Sequence, residues 1–437
     1  MKLFRKIAVV YLFFLVSVGW GVMVGRYEMF PFSIFSGFFE FIEDETGDEP
    51  SFVSRFLSDE GFKPTRFIYP YDTSAAEKYP SLDVPGLRDR RAQPRLFISD
   101  SAPRGYRIYF GAMDSNETFW GALLIDPDGK LVHTWRLSTD ELPGSTEPAY
   151  RKNMYGVAIL PDGSVIFQMQ ETGGGIVRVD YCGRPVWVID GSFHHAASVT
   201  DKGTFWTFEG SQGDFDHILA EFRVDTGAAV RRIDMADVRK ANPDTHIFDL
   251  QRVPGIWDAI HGNDIEQLPR SMRQFFPDFR AGDLLISFHT INLVFILDPD
   301  TLEIKWWRIG PWDRQHDPDW GKDGRITVYS NNWRGVGEYS NIVSIDPSTL
   351  ETRYLVKGQE YGFYSEINGK AQITDAGTVL IASSTQGRIF EVARNGDVVT
   401  DFVNIYGPGE TLHVAEGVYL GSDFPILENP PTCEVGK

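Results

Sequence analysis

Residues 295–307 read FILDPDTLEIKWW. A short apolar run meets Asp298, Pro299 and Asp300, and a second run, rich in Trp, follows. The first run is too short for a stable helix and is bounded by turn formers, so it reads as a strand. Asp-Pro-Asp supplies the reversal, because Pro presets φ and Asp can bond its own backbone. The whole is a hairpin. The same pattern stands at 123–135 (LLIDPDGKLVHTW), 177–189 (VRVDYCGRPVWVI), 222–233 (FRVDTGAAVRRI), 343–355 (VSIDPSTLETRYL) and 390–402 (FEVARNGDVVTDF). The turn positions are Asp126, Asp180, Asp225, Asp298, Asp346 and Ala393, spaced 54, 45, 73, 48 and 47 residues apart.

A second hairpin lies upstream of most of these, with a turn that closes on Gly: LPDGSVIFQ, VTDKGTFWTF, GKDGRITVYS and ITDAGTVLIAS. Two hairpins make four strands, and about 45 residues per four strands is the size of one blade of a propeller. Six such units predict an all-β, six-bladed β-propeller over residues 104–410, with a C-terminal tail at 411–437. Only Asp234–Lys240 and Arg270–Phe279 suggest helix, and both are short. The Asp-Pro-Asp turns lack the ligand spacing of a calcium loop, so no metal site is expected in them.

Composition narrows the class. Lys and Arg number 42 against 61 Asp and Glu, a net charge of −19, which argues against a nucleic-acid partner. Aromatics at 14% exclude a chain that is disordered in bulk. Two cysteines, Cys182 and Cys433, exclude a disulfide-rich scaffold and any multi-cysteine cluster.

The N-terminus reads as a membrane signal. Lys2, Arg5 and Lys6 precede Ile7–Gly25 (IAVVYLFFLVSVGWGVMVG), which carries no charge. At 1.5 Å per residue this run nearly crosses a ~30 Å hydrocarbon layer. The basic cluster is expected to stay cytoplasmic, because beyond Arg26 come Glu40, Glu43, Asp44, Glu45, Asp48 and Glu49 before the next basic residue, Arg55. Bulky Trp20 and Met23 fit a cleavage site poorly, which favours an uncleaved single-pass anchor over residues 1–26 to a signal peptide. The remainder is then membrane-anchored on the extracytoplasmic or periplasmic side. Residues 27–103 read as a linker and N-terminal extension, first Phe-rich (MFPFSIFSGFFEFI, 29–42), then acidic. The Phe-rich stretch suits either the membrane interface or packing on the main domain.

Three of the nine histidines open the first strand of a unit: His195 in FHHAASVTDKG, His261 in IHGNDIEQLP and His316 in RQHDPDWGKDG. First strands line the axis of a propeller, so three chain-distant imidazoles are expected at one mouth. Asn263, two positions after His261, shares its face. His289 falls on the next strand of the same unit, and Arg308, Arg314 and Arg334 are near in sequence. Imidazoles, an amide and guanidinium groups on an acidic protein suit an anionic tetrahedral group. A neutral imidazole can also take such a group covalently. A structural ring of polar residues, copied from repeat to repeat, is the plainer alternative.

The sequence resembles the bacterial arylsulfotransferase family over roughly residues 104–405. The strings that carry the resemblance are IHGNDIEQLP, LLISFHTINLVFILDPDTLEIKWWRIG with RQHDPDW after it, and INGKAQITDAGTVLIASSTQGRIFEVARNGDVV. The resemblance implies a six-bladed extracytoplasmic propeller that needs no cofactor. It implies transfer of a sulfuryl group from an aryl sulfate donor to a phenolic acceptor, independent of a nucleotide donor, through a sulfated histidine. By motif position His316 matches the nucleophile. His261 and Asn263 match the pair that binds the sulfuryl oxygens and assists proton transfer, and His195 matches a further histidine at the funnel. One position departs, because the family usually has Arg where this chain has His289. Arg is permanently charged and bidentate toward oxyanions, and His is neither by default. Substrate binding would then fall to His289 in its protonated form, Arg314 or Arg334.

Two other functions compete. A non-catalytic propeller could bind a protein or an anionic glycan. A quinone-cofactor dehydrogenase would explain Trp135, Trp187, Trp306 and Trp307, but those positions also suit packing between units. An oxidising compartment permits a Cys182–Cys433 bridge, and two free thiols are equally compatible with the sequence. Oligomers are possible.

Overall fold

A computed structural model describes residues 68–433, apart from Gly86 and the stretches 88–90, 114–119, 138–152, 171–174, 211–217, 251–259 and 334–338. Before residue 68 it describes only Tyr11, Leu15, Val16, Ser17 and Trp20. The chain divides into two compact units, Met1–Pro64 and Thr65–Lys437. The expected anchor at 7–25, the Phe-rich stretch at 29–42 and the acidic linker lie outside the described residues almost entirely. Among the described residues no helix is long and apolar enough to cross a membrane.

The second unit is all-β. Its larger sheets are antiparallel, each of four or five strands. One joins Asn153–Ile159, Val165–Gln170, Ile176–Val179 and Pro185–Ile189. The next joins Phe193–Val199, Thr204–Glu209, Ile218–Arg223 and Ala229–Asp234. A third joins Gly262–Gln267, Leu284–Phe288, Leu293–Leu297 and Ile304–Ile309. A fourth joins His316–Trp320, Ile326–Ser330, Asn341–Ile345 and Thr352–Lys357. The landmark hairpins are the outer two strands of these sheets.

The turns explain the repeated Asp. Asp126 Oδ1 accepts the backbone N–H groups of Asp128 and Lys130, and Asp180 Oδ1 those of Cys182 and Arg184. Asp298 and Asp346 do the same for Asp300 and Thr301, and for Ser348 and Thr349. Each carboxylate satisfies turn donors that the sheet cannot reach. The two helical stretches are a short α-helix at Met235–Ala241, capped by Asp234 through Ala236 N–H, and a 3-10 turn at Arg270–Phe275.

The sheets extend beyond the residues 104–410 expected for them. Val414–Leu420 pairs with Tyr106–Ala112 and forms the first strand of a sheet completed by Trp120–Ile125 and Leu131–Leu137. Arg95–Ile98 adds a fifth strand outside Val398–Val403, in the sheet that begins at Lys370–Ile373. The stretch from 411 is therefore sheet before it is tail, and the N-terminal extension contributes a strand. The physical reason is edge closure: pairing the two ends of the chain removes edges that would otherwise stay open. Cys182 and Cys433 are joined in a disulfide with their Cα atoms 5.3 Å apart, tying the remaining tail to a hairpin turn.

The first strands of successive sheets neighbour one another in chain order, and Val414–Leu420 lies against both Lys370–Ile373 and Asn153–Ile159. This is a propeller-like arrangement. Middle strands such as Leu284–Phe288 and Leu293–Leu297 are buried at every position, because sheets cover them on both faces. Outer strands such as Thr352–Lys357 are largely exposed, with Val356 alone buried in that one. Apolar side chains fill the gaps between sheets; Phe208, Phe288 and Phe295 belong to one such cluster. Burial of a side chain of that size contributes about 1.5–3 kcal/mol.

Candidate active site

The first strands begin irregularly, and that irregularity builds the site. Pairing register shifts between His194 and Ser198, between Gly262 and Asp264, between His316 and Asp319, and between Val414 and Glu416. Each shift is a bulge that re-aims the neighbouring side chains. His195, His261, Asp317 and Asn368 have φ of 51°, 44°, 54° and 57°. Such backbone is uncommon for residues with a Cβ and costs on the order of 1–3 kcal/mol, so the surrounding structure must hold it. Gly262, between His261 and Asn263, sits so close to the Phe208 ring that a Cβ there would come within 2.6 Å of it.

The bulges bring four imidazoles together. His195 and His261 approach Nε2 to Nε2 at 2.8 Å. The His261 ring stacks on His289 with centroids 4.2 Å apart. His316 lies 5.5 Å from His289 and 6.1 Å from His195, centroid to centroid. His316 is buried, and burial pushes it down to about 3, against the favourable bond from its Nδ1 to Asn331 Oδ1 at 2.8 Å. His195 is also held well below its ordinary value, by burial first and then by the imidazoles of His261, His194, His316 and His289. Both rings are therefore neutral at neutral pH.

His195, Asn263 and His316 line one cavity, together with Met154, Tyr155, Asn368, Gly369, Lys370, His413 and Ala415. Asn263 is buried, donates from Nδ2 to Gln315 O at 2.7 Å, and leaves Oδ1 without a protein partner. Gln315 in turn donates to Ser287 Oγ, Phe288 O and Leu293 O, which fixes the approach to His316.

The expected guanidinium groups are distributed differently. Arg314 meets Thr290 Oγ1 at 3.4 Å and lies over the Trp333 ring at 4.8 Å, beside the His289 turn. Arg308 sits on the outermost strand of its sheet, opposite Val294, away from the first strands. Arg334 lies outside the described residues.

Two groups that the sequence did not single out also reach the cavity. Lys370 Nζ lies 2.7 Å from Asp317 Oδ1 and 3.2 Å from Asp264 Oδ1. Burial opposes its charge, but Asp264, Asp317 and Glu416 hold it well above the usual lysine value. The surrounding acids respond the other way. Burial, reinforced by neighbouring carboxylates, pushes Asp264 up to about 6 and Glu416 up to about 8, and raises Glu266 and Asp319. His413 is the second group. It is buried, its Nδ1 has no partner, and burial pushes it down to about 3. It immediately precedes Val414–Leu420, the place in its sheet that His261 holds before Gly262–Gln267. That equivalence is visible only once the C-terminal strand is known to enter the first sheet.

The arrangement offers neutral imidazoles for nucleophilic attack and proton exchange, amides and a cation at the same cavity, and aromatic or thioether side chains on its wall. Comparison with known proteins gives a family. The family model described as Arylsulfotransferase (ASST) matches residues 156–405, more than half of the chain. No curated protein matches. Among solved structures, a protein of unknown function from Bacteroides caccae is 11% identical, with 72% of this chain and 99% of that chain covered at a TM-score of 0.48. TolB from Acinetobacter baumannii is 15% identical, with 73% and 67% covered at 0.45. The β-propeller domain of Myceliophteria thermophila Cps50 (Swd1) is 12% identical, with 69% and 91% covered at 0.38.

Proposed function

The chain belongs to the arylsulfotransferase family, and from that membership we propose that it transfers a sulfuryl group from an aryl sulfate ester to a phenol through a sulfated His316, without a nucleotide donor. One observation carries the reading: a neutral His316 shares a cavity with His195 and Asn263, and His261 lies 2.8 Å from His195.

The reaction balances in two half-steps. His316 nitrogen attacks sulfur, the sulfur–oxygen ester bond breaks, and its electron pair leaves on the phenolic oxygen. That oxygen takes a proton from the His195–His261 pair, which enters this half-step carrying one proton beyond its two neutral rings. In the return step the acceptor phenol gives its proton to the pair, its oxygen attacks sulfur, and the nitrogen–sulfur bond returns its electrons to His316. Asn263 and the Lys370 ammonium stabilise charge spread over the sulfuryl oxygens. His289 stands where the family usually has Arg, so Lys370 takes a larger share of that task.

The same reading makes the sheets a closed six-bladed propeller, supported by the cyclic order of their first strands. It also places the domain on the extracytoplasmic face of a membrane, anchored by Ile7–Gly25. The test is release of p-nitrophenol from p-nitrophenyl sulfate, dependent on an added phenol. Steady release supports transfer. Saturable binding of sulfate esters with no turnover would instead make the protein a non-catalytic binder of an anionic partner.

A further inference from the structure

We infer that Asn331 is the positioning residue that fixes the tautomer of His316, so that Nε2, and not Nδ1, is the atom that attacks. The inference rests on the sulfuryl-transfer reading for its chemical meaning, but not for its geometry.

Asn331 is fully buried, one residue beyond the strand Ile326–Ser330. Its Nδ2 faces two backbone carbonyls, Ser365 O at 2.9 Å and Asn368 O at 2.5 Å. A carbonyl oxygen can only accept. The amide nitrogen must therefore occupy that side, and the orientation of the side chain is decided by its partners. Oδ1 is left facing His316 Nδ1 at 2.8 Å. An amide oxygen also only accepts, so Nδ1 must carry the hydrogen. In a neutral imidazole the remaining nitrogen, Nε2, then holds the lone pair.

The backbone at Asn331 is itself held. Ser340 Oγ donates to Asn331 O at 3.2 Å, and Ser365 N–H donates to Ser340 Oγ at 2.9 Å. Because Asn368 also lines the cavity, Asn331 links the strand that starts at His316 to the turn that delivers Lys370. An amide suits this place better than a carboxylate. A carboxylate partner would favour the charged ring and make nitrogen a poorer leaving group in the second half-step. The neutral amide orients the ring and leaves the sulfated form reactive. His316 is also faced by the imidazoles of His195 and His289, and His261 and the Lys370 ammonium disfavour its protonation.

The test uses the full chain with ¹⁵N-labelled histidine, and the His316 signals are assigned by their loss in His316→Gln. The expected pattern at neutral pH is a pyrrole-type Nδ1 and a pyridine-type Nε2; the reverse pattern, or an averaged one, overturns the inference. In parallel, Asn331→Leu is expected to lower kcat at least about tenfold with KM little changed. Asn331→Asp is expected to move the acid limb of kcat/KM upward by about one pH unit. A folded Asn331→Leu with unaltered kcat, or a folded Asn331→Asp with an unaltered limb, also overturns it. Should either variant fail to fold, the wild-type spectrum still decides. The expected spectrum without turnover of any sulfate ester would leave the tautomer assignment standing and remove the sulfuryl-transfer reading.

Discussion

His195 Nε2 and His261 Nε2 lie 2.8 Å apart although 66 residues separate them in the chain. Two ring nitrogens at that distance share one proton, one donating and the other accepting. When it carries one proton beyond its two neutral rings, the pair is a proton store beside His316. Removing either ring strands the other without its partner. His261→Ala is expected to reduce kcat by about 10²- to 10⁴-fold, the usual range for a lost acid–base group. The loss should shrink as the leaving phenol becomes more acidic, because that phenolate needs no proton. A series of substituted phenyl sulfates checks this; an equal loss for all of them would assign the pair a different role.

The His289 ring stacks on His261 at 4.2 Å and lies 5.5 Å from His316. It provides no permanent charge. His289→Arg adds one where the sulfuryl oxygens gain charge, and kcat for p-nitrophenyl sulfate is expected to rise at least about tenfold. A fall would show that the stacked imidazole, and not the missing cation, is what the site uses.

Glu416 sits in the carboxylate cluster around Lys370. Burial, helped by Asp317 and Asp264 against the pull of Lys370, pushes it up to about 8 from an ordinary 4.5. The folded state therefore binds this proton more tightly than the unfolded chain does. Its contribution to stability is present in full below pH 4.5 and is lost as pH rises through 8. Glu416→Gln removes the dependence, so the variant should melt several degrees above wild type at pH 9 and close to it near pH 4. The buried His316 and His413, pushed down to about 3, act in the opposite sense. Their contribution is present above pH 6.5 and is lost as pH falls toward 3. Thermal scans across pH measure both arms, and a wild-type curve flat between pH 6 and 9 would contradict the first.

The Cys182–Cys433 bridge closes a separation of 251 residues. Cys433→Ser is expected to cost about 2–5 kcal/mol of stability. Because neither cysteine lines the cavity, kcat should not change. Denaturant melts under oxidising and reducing conditions check the first part, and a large fall in kcat at full folding would contradict the second.

Much of the sheet pattern was legible because the turns advertise themselves. Asp126, Asp180, Asp298 and Asp346 each hold turn N–H groups, so the chemistry of the turn selects the residue that sequence displays. The sixth unit, with Ala393 in place of Asp, makes the same reversal through backbone bonds from Ala393 N–H to Asp397 O and from Gly396 N–H to Ala393 O, with Asn395 Oδ1 accepting the Asp397 N–H. Strand donation between the chain ends was not legible. Val414–Leu420 looks like any half-apolar strand, and only pairing with Tyr106–Ala112 reveals its sheet. His413 was hidden for that reason. Asn331 and Lys370 were hidden for another: nothing beside either in the sequence marks its role, and its partner lies in a different part of the chain, Asn331 facing His316 and Lys370 facing Asp264. Arg314 was expected to face the anion directly and instead rests against Thr290 and Trp333.

The most direct measurement is a chemical one on His316. The full chain is mixed with ³⁵S-labelled p-nitrophenyl sulfate without an acceptor, quenched in alkali and digested. The account predicts an acid-labile label on the peptide that contains His316, discharged by added phenol and absent from His316→Ala. A label on another residue, or phenol-dependent transfer by His316→Ala at the wild-type rate, would contradict it.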